Sequence, residues 1–131
     1  MTLGAATLYY FPVEPYCYKA SVRRVVDGDT LVVEFDLGFG VSSVQTVRVL
    51  GIDAPETRGE SRERGLAAKA FVRDWLSKRG SAVVVRTVKD GRDKYGRYLA
   101  DVRPIDAQTP EPEPSLSEAM LAAGHAVAYN P

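Results

Sequence analysis

The sequence predicts an α+β fold that is mainly β: a small closed antiparallel barrel of five strands, with one long and one short helix packed against it. Three observations support this. Five segments are apolar and β-branched, the hydrophobic period turns helical once in mid-chain, and 131 residues suffice for one core rather than two. An apolar share of 45% beside 26% charged residues is that of an ordinary globular domain.

The strands are expected at Ala20–Val26, Thr30–Asp36, Val44–Leu50, Ala82–Val88 and Arg97–Arg103, where branched side chains suit a pleated, half-buried surface. Asp27-Gly28-Asp29 makes the first turn, and the glycines of Leu37-Gly38-Phe39-Gly40-Val41 suit a hairpin loop. From Ser61 to Arg79 the period changes: Ala68, Phe71, Val72, Trp75 and Leu76 fall on one helical face, closed by Gly80. A short helix follows later, with Ser115 and Glu118 at capping-box spacing and Gly124 as its stop. Pro104 to Pro114, with four prolines and an acidic bias, reads as a loop. Residues 1–18, with the aromatic run Leu8-Tyr9-Tyr10-Phe11, are expected to form an N-terminal arm, and residues 19–131 the barrel domain.

No apolar stretch approaches the roughly 20 residues of a membrane span, so no membrane partner is expected. One cysteine, Cys17, excludes an intrachain disulfide. The first basic residue is Lys19, so the chain lacks the charged start of a secretory signal and a cytoplasmic location is expected, with a mature secreted form or a virus-encoded protein as the alternatives that would read the same. Without a histidine cluster or cysteine pair a zinc site is excluded, and without a Gly-x-x-x-x-Gly-Lys loop so is a nucleoside triphosphatase. The net charge of zero conceals three unlike segments: residues 1–57 carry −3, residues 58–100 carry +7 and residues 101–131 carry −4. A basic middle beside an acidic first segment suits a phosphate-binding surface around a carboxylate-held cation, but the charge pattern alone favours a solvated helix face rich in arginine.

Two acidic segments stand at strand ends: Asp27-Gly28-Asp29-Thr30, and Asp53-Ala54-Pro55-Glu56-Thr57 after the third strand. A few hard oxygen donors of this kind leave positions on a divalent cation for water and a phosphate oxygen, as metal-assisted phosphate chemistry requires. Arg48 alternates with Val47 and Val49, so it points away from their face, into or across the barrel, and an inward arginine needs an anion. Asp93-Lys94-Tyr95-Gly96-Arg97 brings a second arginine, and two guanidinium forks can clamp a phosphate that gains charge in a transition state. Each string also has a plain structural use. Asp27-Gly28 makes a turn, Pro55 ends a strand, Glu56 alone is a surface acid, and Tyr95 packs on the sheet. Asp27 is expected to serve its turn or to support its neighbours; Trp75 and the sole histidine, His125, are assigned to packing.

Taken in order, Val26-Asp27-Gly28-Asp29-Thr30, then Arg48 ahead of Asp53-Ala54-Pro55-Glu56-Thr57, then Asp93-Lys94-Tyr95-Gly96-Arg97, resemble the thermonuclease or staphylococcal-nuclease-like family. The resemblance covers about Ser21 to Tyr129, and three strings in register make chance agreement improbable. It implies an OB-fold barrel and a calcium-dependent hydrolase, a nuclease of DNA and RNA with low sequence specificity that leaves 3′-phosphate ends. By position it implies Asp29, Asp53 and the backbone carbonyl of Ala54 as calcium ligands; threonine commonly holds the last place, and only its carbonyl is used. Glu56 matches the glutamate beside the attacking water, and Arg48 and Arg97 the arginines on the scissile phosphate. Lys94 and Tyr95 match contacts to a terminal phosphate, and Tyr129 falls near tyrosines that stack on a base. A monomer acting on single-stranded or frayed nucleic acid is expected, with Asp29→Ala, Arg48→Ala and Arg97→Ala each losing most activity while leaving the fold intact. The alternative is a catalytically inactive OB-fold module that binds nucleic acid or protein; the presence of all five charged residues favours the enzyme.

Overall fold

Alternating burial along three consecutive strands builds one wall of the molecule. In the computed structural model, which describes residues 15–92, 95–105 and 113–129, these are β1 (Cys17–Asp27), β2 (Thr30–Asp36) and β3 (Ser42–Val49). Their inward residues Val25, Leu31, Val33, Val47 and Val49 are buried, while the intervening side chains face out, as the two-residue period of a strand requires. The loop from Leu37 to Val41 closes the second hairpin, with the Leu37 N–H donating to the Val41 carbonyl at 2.9 Å.

After β3 the chain makes a two-residue strand β4 (Ile52–Asp53), a 3-10 turn over Gly59–Ser61, and the long helix α1 (Arg62–Ser77). Strands β5 (Ala82–Arg92) and β6 (Tyr98–Pro104) follow, then the short helix α2 (Leu116–Ala122) and a second two-residue strand, β7 (Val127–Ala128). The arm run Leu8-Tyr9-Tyr10-Phe11, Lys94 and residues 106–112 of the proline-rich loop lie outside the described residues. Among the described residues no helix is long and apolar enough to cross a membrane.

The five long strands close into a barrel in the order β1-β2-β3-β6-β5, an OB-fold-like α+β architecture, and the expected count of strands and helices holds. One feature differs: the seam between β3 and β6 is parallel, pairing Val47 with Tyr98, Arg48 with Leu99 and Val49 with Ala100. The barrel is therefore mixed rather than wholly antiparallel. The cause is connectivity, because the chain returns to β3 only after crossing over through α1 and β5, and such a crossover delivers a strand in the same direction. The ribbon of β4 and β7, with Ile52 opposite Ala128 and Asp53 opposite Val127, is too short to leave a period in the sequence.

Val83, Val85 and Val102 complete the barrel interior, and Val72, Leu116 and Met120 cap it from the helices, all fully buried. Each such side chain contributes about 1.5–3 kcal/mol of burial. The buried face of α1 includes Ala68, Val72, Trp75 and Leu76, the stripe expected from the period. Ser115 caps α2 through the full capping box: its hydroxyl accepts from the Glu118 N–H, and the Glu118 carboxylate accepts from the Ser115 N–H at 2.8 Å. His125 lies against Phe71 with ring centroids 4.9 Å apart, a packing role.

Candidate functional site

The first turn and the end of β3 meet at one rim of the barrel because Thr30 pairs with Arg48 across the β2–β3 ladder. The Val49 N–H donates to the Asp29 carbonyl at 2.8 Å, which fixes the turn against β3. Asp29 is 7% exposed, and each of its carboxylate oxygens is held: Oδ1 accepts from the Thr30 hydroxyl at 3.0 Å and Oδ2 from the Ala54 N–H at 2.9 Å. The second acidic segment is thereby hooked onto the first.

Arg48 binds the same corner from the other side. Its Nη2 stands 3.5 Å from Asp29 Oδ2 and 3.2 Å from Asp53 Oδ1, and its Nη1 donates to the carbonyls of Val49 and Ile52 at 3.0 and 2.8 Å. One guanidinium thus bridges both aspartates and anchors β4. Asp29 and Arg48 are nearly enclosed while the Asp53 side chain is more than half exposed, so one carboxylate is held in place and the other opens to solvent. Across the rim, Arg97 Nη1 donates to the Thr30 hydroxyl at 3.1 Å.

All of these groups line a cleft of about 1120 Å³, together with Glu56, Arg58 and Tyr129. Tyr129 is drawn in by its N–H donating to the Gly51 carbonyl at 3.0 Å beside the β4–β7 ribbon, and its ring lies 5.7 Å from the Arg48 guanidinium carbon. Tyr95 is 71% exposed and does not pack on the sheet; the Arg97 guanidinium stands over its ring at 5.1 Å. Two of the cleft's three arginines, Arg48 and Arg97, thus each stand beside an aromatic face. Of the sequence-expected site residues, Asp29, Arg48, Asp53, Ala54, Glu56, Tyr95, Arg97 and Tyr129 come together here, and Lys94 lies outside the described residues.

Three further supports were not assigned from the sequence. The Thr57 hydroxyl donates to Asp27 Oδ1 at 2.9 Å, tying the Glu56 segment to the first turn. Ser61, at the start of α1, does not cap its helix; its hydroxyl donates to the Glu56 carbonyl at 2.9 Å. Gly65 lies against that same carbonyl so closely that a Cβ there would sit 2.0 Å from the oxygen. Gly28 is the corresponding contact for the first turn, with a Cβ placed 3.0 Å from the Ala54 and Met120 methyls and 3.1 Å from that of Ala68. Both acidic segments are thus fitted to α1 through glycines, and Gly28 in its Asp-Gly-Asp turn was the only visible signal.

A family model described as "Staphylococcal nuclease homologue" matches residues 46–131. The chain belongs to the staphylococcal nuclease family. Arg48, Asp53, Glu56 and Arg97 fall inside the matched span, and Asp29 is joined to them by the contacts just described. Among curated relatives of the family, the chain is 34% identical to a thermonuclease of Staphylococcus intermedius over 84 residues, covering 62% of this chain and 46% of that protein. The same identity and coverage relate it to a thermonuclease of Staphylococcus hyicus. It is 30% identical over 102 residues to an uncharacterized protein of Methanocaldococcus jannaschii, covering 63% and 47%. The chain thus spans about half the length of the curated relatives it matches.

Among the described residues no three histidine, cysteine, aspartate or glutamate side chains form a metal-binding group. The donor set here is instead two carboxylates, one held and one open, with the Ala54 backbone between the turns. Such a sparse, all-oxygen set fits a hard cation that keeps most of its coordination for water and substrate, and does not fit zinc.

Proposed function

We propose that this protein is a calcium-dependent nuclease that hydrolyses phosphodiester bonds of DNA and RNA with low sequence specificity and leaves 3′-phosphate ends. The observation that carries the reading is the contact of one guanidinium, Arg48, with both Asp29 and Asp53, at the rim of a cleft that also holds Glu56 and Arg97. Family membership agrees with it.

In this reading Asp29, Asp53 and the Ala54 carbonyl hold the cation. When bound, calcium would polarise a phosphoryl oxygen and lower the cost of its growing charge. Arg48 and Arg97 donate to the phosphate oxygens; a planar fork that stays charged suits this better than lysine. Glu56 orients a water, or takes its proton, as the water oxygen attacks phosphorus in line. The bond to the 5′ oxygen breaks, leaving the phosphate on the 3′ side. Tyr129 and Tyr95 offer aromatic faces to unpaired bases, and Lys94 a charge to a terminal phosphate, so the substrate is single-stranded or frayed. The chain acts as a monomer.

The test is cleavage of plasmid and single-stranded DNA and of RNA by the purified chain, with calcium, with magnesium and with a chelator. Cutting that requires calcium and yields 3′-phosphate ends is expected. Binding without cutting in every condition would overturn the enzyme reading in favour of an OB-fold binding module.

A further inference from the structure

The strong positive charge of the middle segment is not used up by the catalytic cleft. A second cleft of about 240 Å³ lies between β1 and the C-terminal half of α1, and Arg23, Arg24 and Arg73 line it with Ser77 and Ser81. Arg23 is held by Glu34 at 3.0 Å. Arg24 and Arg73 are exposed, and among the described residues neither has an ion-pair partner. The sequence puts Arg24 here through a bulge: the β1–β2 register slips between Val22 and Arg24, so consecutive arginines both face outward while Val22 and Val25 stay buried.

The cleft also lies near the catalytic one. At about 100° per residue, Arg62, Lys69 and Arg73 fall within about 40° of one another on α1, a single flank. That flank begins just after Arg58, which lines the catalytic cleft, and runs for about 16 Å to Arg73 at 1.5 Å per residue. The acidic residues of α1 lie about 100° further round the helix, Glu63 from Arg62 and Asp74 from Arg73, and Asp74 is tied to Lys78 at 3.2 Å. On the barrel side, Arg24 pairs with Val32 and Val32 with Thr46, and Thr46 lines the catalytic cleft. Two strand spacings of about 4.8 Å therefore separate the second cleft from the first.

We infer that the cleft of Arg23, Arg24 and Arg73 is a second binding site for the polynucleotide backbone, taking phosphates of the same strand a few nucleotides from the one being cut. This rests on the nuclease reading for its substrate. A row of unpaired guanidiniums and an ammonium matches a polyphosphate, whose affinity is dominated by such contacts and falls with salt. The consequence is a length preference, since a dinucleotide reaches only the catalytic cleft while a longer strand fills both.

The experiment compares the wild type with Arg24→Ala/Arg73→Ala and with a charge-matched control, Lys78→Ala/Arg86→Ala. One readout is the ratio of kcat/KM on a 30-nucleotide single strand to that on a dinucleotide. The other is the salt dependence of binding the same strand, by fluorescence anisotropy in the presence of a chelator. The Arg24/Arg73 variant should lose about tenfold in the ratio at low salt, and its slope of log K against log salt should shrink by about 1.4, the value for two lost phosphate contacts on a single strand. The control should keep both. An unchanged ratio and slope in the Arg24/Arg73 variant, with cutting intact, would overturn the second site and leave the nuclease reading standing. A wild type that binds the strand without cutting would end the nuclease reading, and the slope would still decide the site. All four side chains substituted are exposed, so each variant keeps the core.

Discussion

Gly65→Ala sets two opposed effects against each other, and the structure decides between them. Replacing a helix-interior glycine by alanine ordinarily stabilises a protein by about 0.5–1 kcal/mol, because the unfolded chain loses freedom. Here the added methyl would lie 2.0 Å from the Glu56 carbonyl oxygen, 2.4 Å from its carbon and 2.8 Å from the Thr57 nitrogen. The atoms it meets are backbone, held by the Ser61 hydroxyl on one side and by the Thr57–Asp27 bond on the other. They cannot swing aside as a side-chain tip would, so α1 and the Glu56 segment must separate by on the order of 1 Å to recover a normal contact. Overpacking of that kind costs about 1–3 kcal/mol, and backbone contacts this short put it towards the upper end, so that after the propensity gain a net loss of up to about 2.5 kcal/mol is left. The activity should fall further than the stability. In the proposed function Glu56 orients the attacking water, and a displacement of about 1 Å in such a group costs about a hundredfold in rate.

The assay is kcat on saturating single-stranded DNA, well below the unfolding temperature, beside thermal unfolding followed by circular dichroism. The expected result is a Tm several degrees lower with kcat down about a hundredfold. A Gly65→Ala protein with Tm at or above wild type would show that α1 and the Glu56 segment are not fitted as described. A lowered Tm with unchanged kcat would keep the packing and sever it from catalysis.

Three other substitutions probe separate contacts. Arg48→Ala should abolish cleavage and also destabilise the fold, by an amount near the lower end of the about 3–5 kcal/mol lost on breaking a buried pair, since Asp29 stays enclosed and Asp53 is largely exposed; urea unfolding measures it, and wild-type stability would contradict the bridging role. Ser115→Ala should cost about 1 kcal/mol through loss of the α2 cap. The backbone hydrogen bond from Ser115, then its hydroxyl, hold the Glu118 carboxyl below its ordinary value of 4.5. The stability gained from Glu118 is therefore full above about pH 4.5 and is lost as the pH falls through the lowered folded value. The Tm difference between wild type and Glu118→Gln should accordingly shrink in acid, and a difference that grew there would reverse the assignment.

How much was legible in the sequence depends on how local the cause is. Strand β2 has the expected bounds, and α1 and α2 fall within their expected segments, because a sustained period or a capping pair spans only a few residues. The capping box at Ser115 and Glu118 formed as its spacing required. The parallel seam of β3 and β6 was not legible, since which strand closes a barrel depends on the crossover through α1 and not on either strand's own pattern. For the same reason β4 and β7 left no trace: a two-residue ribbon joining Asp53 to Val127 is specified by where two distant segments end. The candidate site divides along the same line. Its charged residues could be picked out because charge at a strand end is conspicuous, whereas Gly65, Ser61 and Thr57 hold the Glu56 segment by contacts that no residue type announces.

Arg48 shows why naming the residues was easier than describing what they touch. Alternation with Val47 and Val49 required it to leave the valine face, and an enclosed arginine required an anion. Arg48 does leave the valine face and does meet anions, but the valines fill the barrel interior, so Arg48 faces the rim cleft rather than the inside of the barrel, and the anions are the protein's own. With Nη1 on two backbone carbonyls and Nη2 on Asp53 and near Asp29, the side chain that was expected only to clamp a phosphate also fastens β4 to β3. The expectation that its loss would spare the fold therefore does not follow from this geometry. A phosphate reaching Arg48 must draw on donors that the carboxylates already share, and a cation drawn to the same carboxylates would weaken their hold on the guanidinium. Under the proposed function, a cation on Asp29 and Asp53 would free Arg48 for the substrate, so cation and phosphate affinity would rise together.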